Sequence, residues 1–135
     1  MTAEPMTGAL GMVFGVFDGL HEGHRDFLQQ ARAKCGKLIV VLTLPEAVRE
    51  LKGREPKRSY EERANALKAF DPTLTVVQSD ARLHSWEVLS AHKPDMVFLG
   101  YDQQAIATEL EKMGVPFESL DAHRPETFKS SLLDR

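Results

Sequence analysis

The chain has a single cysteine, Cys35, so it cannot close a disulfide within itself. A lone thiol suits a reducing compartment, and its ordinary role is that of a small buried residue. No apolar run approaches the roughly 18 residues that cross a bilayer, so no membrane segment is expected. The opening stretch MTAEPMTGAL lacks a basic start followed by an apolar core, so no secretory leader is read there and the cytoplasm is the expected location. A basic excess is missing too: 17 Lys and Arg stand against 20 Asp and Glu, a formal net charge of −3. That balance argues against a nucleic-acid partner, which calls for a basic face. The one tryptophan, Trp86, falls in a helical pattern and reads as core rather than as a base-stacking platform.

What is present suits a globular chain. At 135 residues, 42% hydrophobic and 27% charged, the sequence reads as one domain over 1–135. Its core needs no metal or disulfide, and residues 1–10 show no periodicity and read as a flexible tail. Short apolar runs predict strands at 12–17, 37–43, 74–78, 95–99 and 115–120. Helical spacing predicts helices from 22 to a stop at Gly36, at 45–51, 60–70, 86–92 and 104–113, and at the terminus over 128–135. Ser59 with Glu62 three residues on is a capping box for the helix at 60. The run KLIVVLT is continuously apolar, as in a strand covered on both faces. Strands alternating with helices predict an α/β fold: a doubly wound, Rossmann-like parallel sheet of five strands between helices. Ligands of such sheets bind beyond the carboxyl ends of the strands, at the topological switch point.

The first strand runs into G-V-F-D-G-L-H-E-G-H, Gly15 to His24. Gly15 is expected to leave room for a ligand beside the strand, and Phe17 to anchor the turn. Gly23 is expected to let a phosphate approach the backbone where a helix begins, a place that favours anions. His21 and His24 lie on one face of the first helical turn and form a plausible polyphosphate clamp. Two such histidines are also common as ordinary surface residues. A zinc site lacks further ligands, and the HExxH protease spacing is absent.

The stretch resembles the G-x-F-D-x-x-H-x-G-H signature of the cytidylyltransferase-like nucleotidyltransferase superfamily, with the strand before it and the helix after it that the family requires. The resemblance implies that Gly15, Val16, Phe17 and Gly23 line the nucleotide phosphates and that His21 and His24 are catalytic. It also implies a nucleoside triphosphate with Mg²⁺, and attack by a phosphorylated acceptor on the α-phosphorus with loss of pyrophosphate. The metal is expected on the nucleotide, and Asp18 is given no firm role. Family analogy adds a homodimer.

Four cations, Lys52, Arg54, Lys57 and Arg58, precede the helix SYEER. Glycerol-3-phosphate cytidylyltransferases carry a similar K-x-K and S-Y-E-x-R. The resemblance places Lys52 and Arg63 with the catalytic groups and Arg54 on the phosphates, and leaves Lys57 and Arg58 as surface. The phrase L-G-Y-D-Q, Leu99 to Gln103, resembles archaeal-type FAD synthetases and implies contacts from Gly100 and Asp102. F-K-S-S-L-L resembles the superfamily's second signature, with Ser130 and Ser131 on the phosphates, though Lys129 and Asp134 depart from it. Two reactions fit: adenylyl transfer from ATP to FMN, favoured by G-Y-D-Q, and cytidylyl transfer from CTP to a polyol phosphate, favoured by SYEER. Another acceptor, such as a sugar phosphate, and a binding module that has lost activity are the remaining readings.

Overall fold

In a computed structural model, which describes residues 6–80, 86–100 and 103–120, five strands form one sheet in the order β3-β2-β1-β4-β5. The elements in chain order are β1 (Met6–Gly15), α1 (Glu22–Ala33), β2 (Cys35–Leu42), α2 (Pro45–Lys52), α3 (Tyr60–Phe70), β3 (Thr75–Gln78), α4 (Glu87–His92), β4 (Met96–Leu99), α5 (Gln104–Met113) and β5 (Phe117–Ser119). Every strand pair is parallel. The chain moves from central β1 outward through β2 and β3, then returns to β4 on the other flank. The switch point therefore lies between β1 and β4.

The apolar runs explain the two faces. Alternate residues of a strand point to opposite sides. Leu38, Val40 and Leu42 of β2 join Val13, Phe98 and the α1 and α3 residues Leu28, Ala31 and Leu67 in one core. Ile39 and Val41 join Met12, Val97, Leu99 and the α4 and α5 residues Val88, Leu89, Ala107 and Leu110 in the other. Both faces of β2 are thus dry. Each fully buried aliphatic side chain contributes about 1.5–3 kcal/mol.

Two boundaries differ from expectation. β1 begins at Met6, inside the segment read as a tail, and pairs Met6 with Cys35 before a register shift ahead of Leu10. Gly36 does not stop α1: the helix ends on the C-cap Lys34, and Gly36 already lies in β2. The expected terminal helix lies outside the described residues.

Candidate functional site at the carboxyl edge of the sheet

Beyond Gly15 the chain leaves β1 and turns sharply. Phe17 adopts a left-handed backbone (φ 48°), and so does Gly19 (φ 98°). Phe17 is buried, and its ring folds back over Gly15, where a Cβ would come within 2.6 Å of it. The space expected for a ligand at Gly15 is therefore filled by Phe17. The same ring meets His24 edge-on, with centroids 5.3 Å apart.

His21 is the N-cap of α1, and His24 is the third helical residue. His21 Nδ1 accepts from Gly23 N–H at 3.0 Å and His24 N–H at 3.3 Å. A ring nitrogen that accepts carries no hydrogen, which places the hydrogen of the neutral ring on Nε2. His24 Nδ1 lies 3.2 Å from Gly19 O and 3.4 Å from His21 N. With hydrogen on Nδ1 it donates to Gly19 O, and without it it accepts from His21 N–H, so either tautomer ties the ring to the turn. The two imidazoles stack, with centroids 3.6 Å apart and planes 19° from parallel. This is a capping box built from two histidines in place of the usual hydroxyl and carboxyl. The Gly23 amide, expected to meet phosphate, is used by His21 instead.

Asp18 ties this turn to the basic loop. Its carboxylate accepts from Lys57 N–H at 2.7 Å and Arg58 N–H at 2.9 Å. The Arg58 guanidinium donates back to Asp18 O at 3.3 Å. At Gly19 a Cβ would sit 2.7 Å from Arg58 Nη1. Arg58, read as surface in the sequence, is thus part of the turn's support. Lys52 closes α2 and Arg54 follows the left-handed Gly53, both exposed. Arg49 folds the loop back onto α2 through Glu55 at 2.8 Å. An open groove of about 510 Å³ runs beside the turn, bounded by Leu20, Arg25, Arg58, Glu62 and Phe70.

Arg63 is completely buried. Its Nη1 donates to Thr43 O at 2.8 Å and Val16 O at 3.1 Å, and its Nε donates to Arg58 O at 3.2 Å. One guanidinium therefore joins the end of β1, the end of β2 and the basic loop. Nη2 is buried with no hydrogen-bond partner among the described residues. Burial lowers the pKa of Arg63, against the opposing charges of Asp18 and Tyr60, but arginine stays charged at neutral pH. Arg63, expected among the catalytic groups, stands beneath the turn rather than on its surface.

Across the switch point, Gly100 N–H donates to Gln103 Oε1 at 2.9 Å, and Gln103 Nε2 donates to Phe14 O at 3.1 Å. Asp102, Ser130 and Ser131 lie outside the described residues. Among the described residues there is no group of three or more His, Cys, Asp and Glu that could hold a metal ion, and both Asp18 oxygens are taken by loop amides. Among the described residues, no helix is long and apolar enough to cross a membrane.

The chain is similar to known proteins over most of its length. The cytidylyltransferase-like family matches residues 12–130. An FAD synthase from Thermococcus sibiricus is 37% identical over 122 residues, covering 87% of this chain and 81% of that protein. An FAD synthase from Pyrococcus abyssi is 36% identical over 111 residues, covering 79% of this chain and 75% of that protein. Among solved structures, a lipopolysaccharide core biosynthesis protein from Thermoplasma volcanium superposes with a TM-score of 0.69 at 23% identity, over 85% of this chain and 96% of that one. At this identity the superposition speaks for the fold alone.

Proposed function

Since the chain belongs to the cytidylyltransferase-like family and is a nucleotidyltransferase, we propose that it moves the adenylyl group of ATP onto the phosphate of FMN, giving FAD and pyrophosphate. The observation that carries this reading is the stacked His21–His24 pair at the amino end of α1, where β1 ends. The choice of FMN rests on the FAD synthases to which the chain is similar. An oxygen of the FMN phosphate attacks the α-phosphorus. The bond from that phosphorus to the bridging oxygen breaks, and pyrophosphate leaves with the electron pair. No enzyme-bound intermediate is needed, so catalysis is positioning and charge stabilisation.

In this reading His21 and His24 meet the negative charge that builds on the phosphate oxygens, with Nε2–H of His21 as a donor. Lys52, at the end of α2, and Arg54, in the loop after it, bring two cations to the leaving pyrophosphate. Arg63 serves by holding Val16, Thr43 and Arg58 in place under the turn. Gly15, Val16, Phe17 and Gly23 shape the turn that receives the phosphates. Gly100, with Asp102, Ser130 and Ser131, is assigned to the nucleotide by motif. Mg²⁺ arrives on the nucleotide as part of the substrate. A homodimer, by family analogy, and a cytoplasmic location, from the lone cysteine and the apolar patterning, belong to the same reading.

The test is pyrophosphate release with Mg²⁺, crossing ATP and CTP against FMN and glycerol 3-phosphate. Release with ATP plus FMN alone is expected. Release with CTP plus glycerol 3-phosphate would replace this reading with polyol-phosphate cytidylyl transfer. Silence in all four combinations would overturn the choice of substrates.

A further inference from the structure

The β1–β4 ladder registers through Gly11↔Met96 and Met12↔Val97. Beyond it, β1 continues to pair with β2 as far as Gly15↔Leu42, and β4 continues to pair with β5 as far as Leu99↔Ser119. At the carboxyl edge each strand thus keeps its outer partner, and among the described residues a side chain bridges the two. Gln103 donates from Nε2 to Phe14 O at 3.1 Å and accepts at Oε1 from Gly100 N–H at 2.9 Å. A side-chain amide carries the same donor and acceptor as a peptide group, so it substitutes for a rung of the ladder.

The local sequence gives something up for this. Gln103 is the N-cap of α5, with φ −110° and ψ 41°, and makes no side-chain capping bond. Ser, Thr, Asp or Asn would stabilise that helix start better. Its backbone closes the turn instead, donating to Gly100 O at 3.1 Å and accepting from Ala107 N–H at 3.2 Å. A locally poor cap whose amide reaches across the switch point is what a functional constraint looks like.

We propose that Gln103 is a positioning residue that fixes the width of the crevice between β1 and β4. It thereby holds the turn carrying His21 and His24 in register with the Gly100 turn. The inference rests on reading that crevice as the site of nucleotidyl transfer. Gln103 itself touches no reacting atom in this role. It acts through Phe14 and Gly100.

The decisive variant is Gln103→Glu. At pH 7.5 the introduced carboxylate accepts from Gly100 N–H but has no hydrogen for Phe14 O, and it opposes oxygen to oxygen. Once protonated, it has both a donor and an acceptor again. The expected kcat/KM, followed by pyrophosphate release, falls on the order of 10- to 100-fold at pH 7.5. It recovers toward wild type as pH falls to about 5, while wild type run in parallel shows no such gain. Gln103→Ala loses a similar factor without recovery.

Trp86 supplies a readout independent of activity. It is the only tryptophan in the chain and meets Phe14 edge-on at 5.8 Å. Its emission in Gln103→Glu is expected to titrate with the same midpoint as the activity. If Gln103→Glu and Gln103→Ala stay within twofold of wild type, or the loss in Gln103→Glu ignores pH, the positioning role is wrong. A wild type silent with every nucleotide and acceptor tried would overturn the transfer reading alone. The bridge would then stand or fall on the tryptophan titration.

Discussion

In the proposed function His21 and His24 each serve two ends with one ring. As a capping box they satisfy the first amides of α1, and in that reading the same rings meet the phosphates. Histidine is a poor choice for the first task alone, since Ser at the N-cap and Gln or Glu at the third helical position do it better. The two tasks are therefore separable. The double change His21→Ser with His24→Gln builds a standard capping box, and its thermal midpoint by circular dichroism is expected at or above wild type. Its turnover is expected to fall on the order of 10²- to 10⁴-fold, the range for losing a positioned catalytic donor. A double variant that keeps its activity would leave the histidines as caps and nothing more. Arg63 gives the opposite expectation. Arg63→Ala strips donors from Val16 O, Thr43 O and Arg58 O. At about 1 kcal/mol for each bond, the loss is on the order of 3 kcal/mol. Arg63→Lys recovers little of it, because one ammonium cannot reproduce the guanidinium fork. Both are read from urea unfolding midpoints.

Among the elements, the α2–α3 loop depends most on a distant residue. Its amides at Lys57 and Arg58 end on Asp18, in a turn about 40 residues earlier. Asp18→Ala is expected to release the loop and raise the KM for the nucleotide on the order of tenfold, the worth of one charge-assisted bond. Steady-state kinetics check this, and an unchanged KM would detach the loop from nucleotide binding. How much was legible follows from how local each signal is. The Ser59–Glu62 capping box and the α3 start were readable because both residues sit within one turn of helix. The His21–His24 turn was readable for the same reason. Gly36 misled because a glycine after a helix usually ends it, whereas here one residue, Lys34, separates α1 from β2. The start of β1 carries no alternation; midway along the strand, Asp95 Oδ2 accepts from Leu10 N–H at 2.7 Å and Asp95 N–H donates to Leu10 O at 2.7 Å. Asp18, Arg63 and Gln103 each bond at least one partner 20 to 89 residues away, and no periodicity in the sequence carries that information.

At the scale of the whole molecule, parallel strands with two dry faces make the sheet one cooperative unit, and Cys35 reports on it. Cys35, the first residue of β2, is 2% exposed, and burial raises its thiol pKa above the ordinary range despite the nearby charge of Arg32. Because the folded pKa is raised, the stability linked to this proton is present below the unfolded pKa and is lost as pH climbs through it toward the folded value. In the folded chain at pH 8 the thiol is expected to react with iodoacetamide only as fast as the protein unfolds. Quenched alkylation followed by mass spectrometry checks it, and rapid labelling would mean that the α1–β2 junction opens locally. The same sheet brings the His21–His24 turn and the Gly100 turn to either side of one switch point, the arrangement on which the functional reading depends. The most direct measurement of that reading follows a radioactive α-phosphorus of ATP in the presence of FMN and Mg²⁺, with wild type beside His24→Gln. The account expects the label to appear in FAD with wild type, with unlabelled pyrophosphate released in equal amount, and to be nearly lost in the variant. Label that stays in ATP, or moves equally fast with His24→Gln, would contradict it.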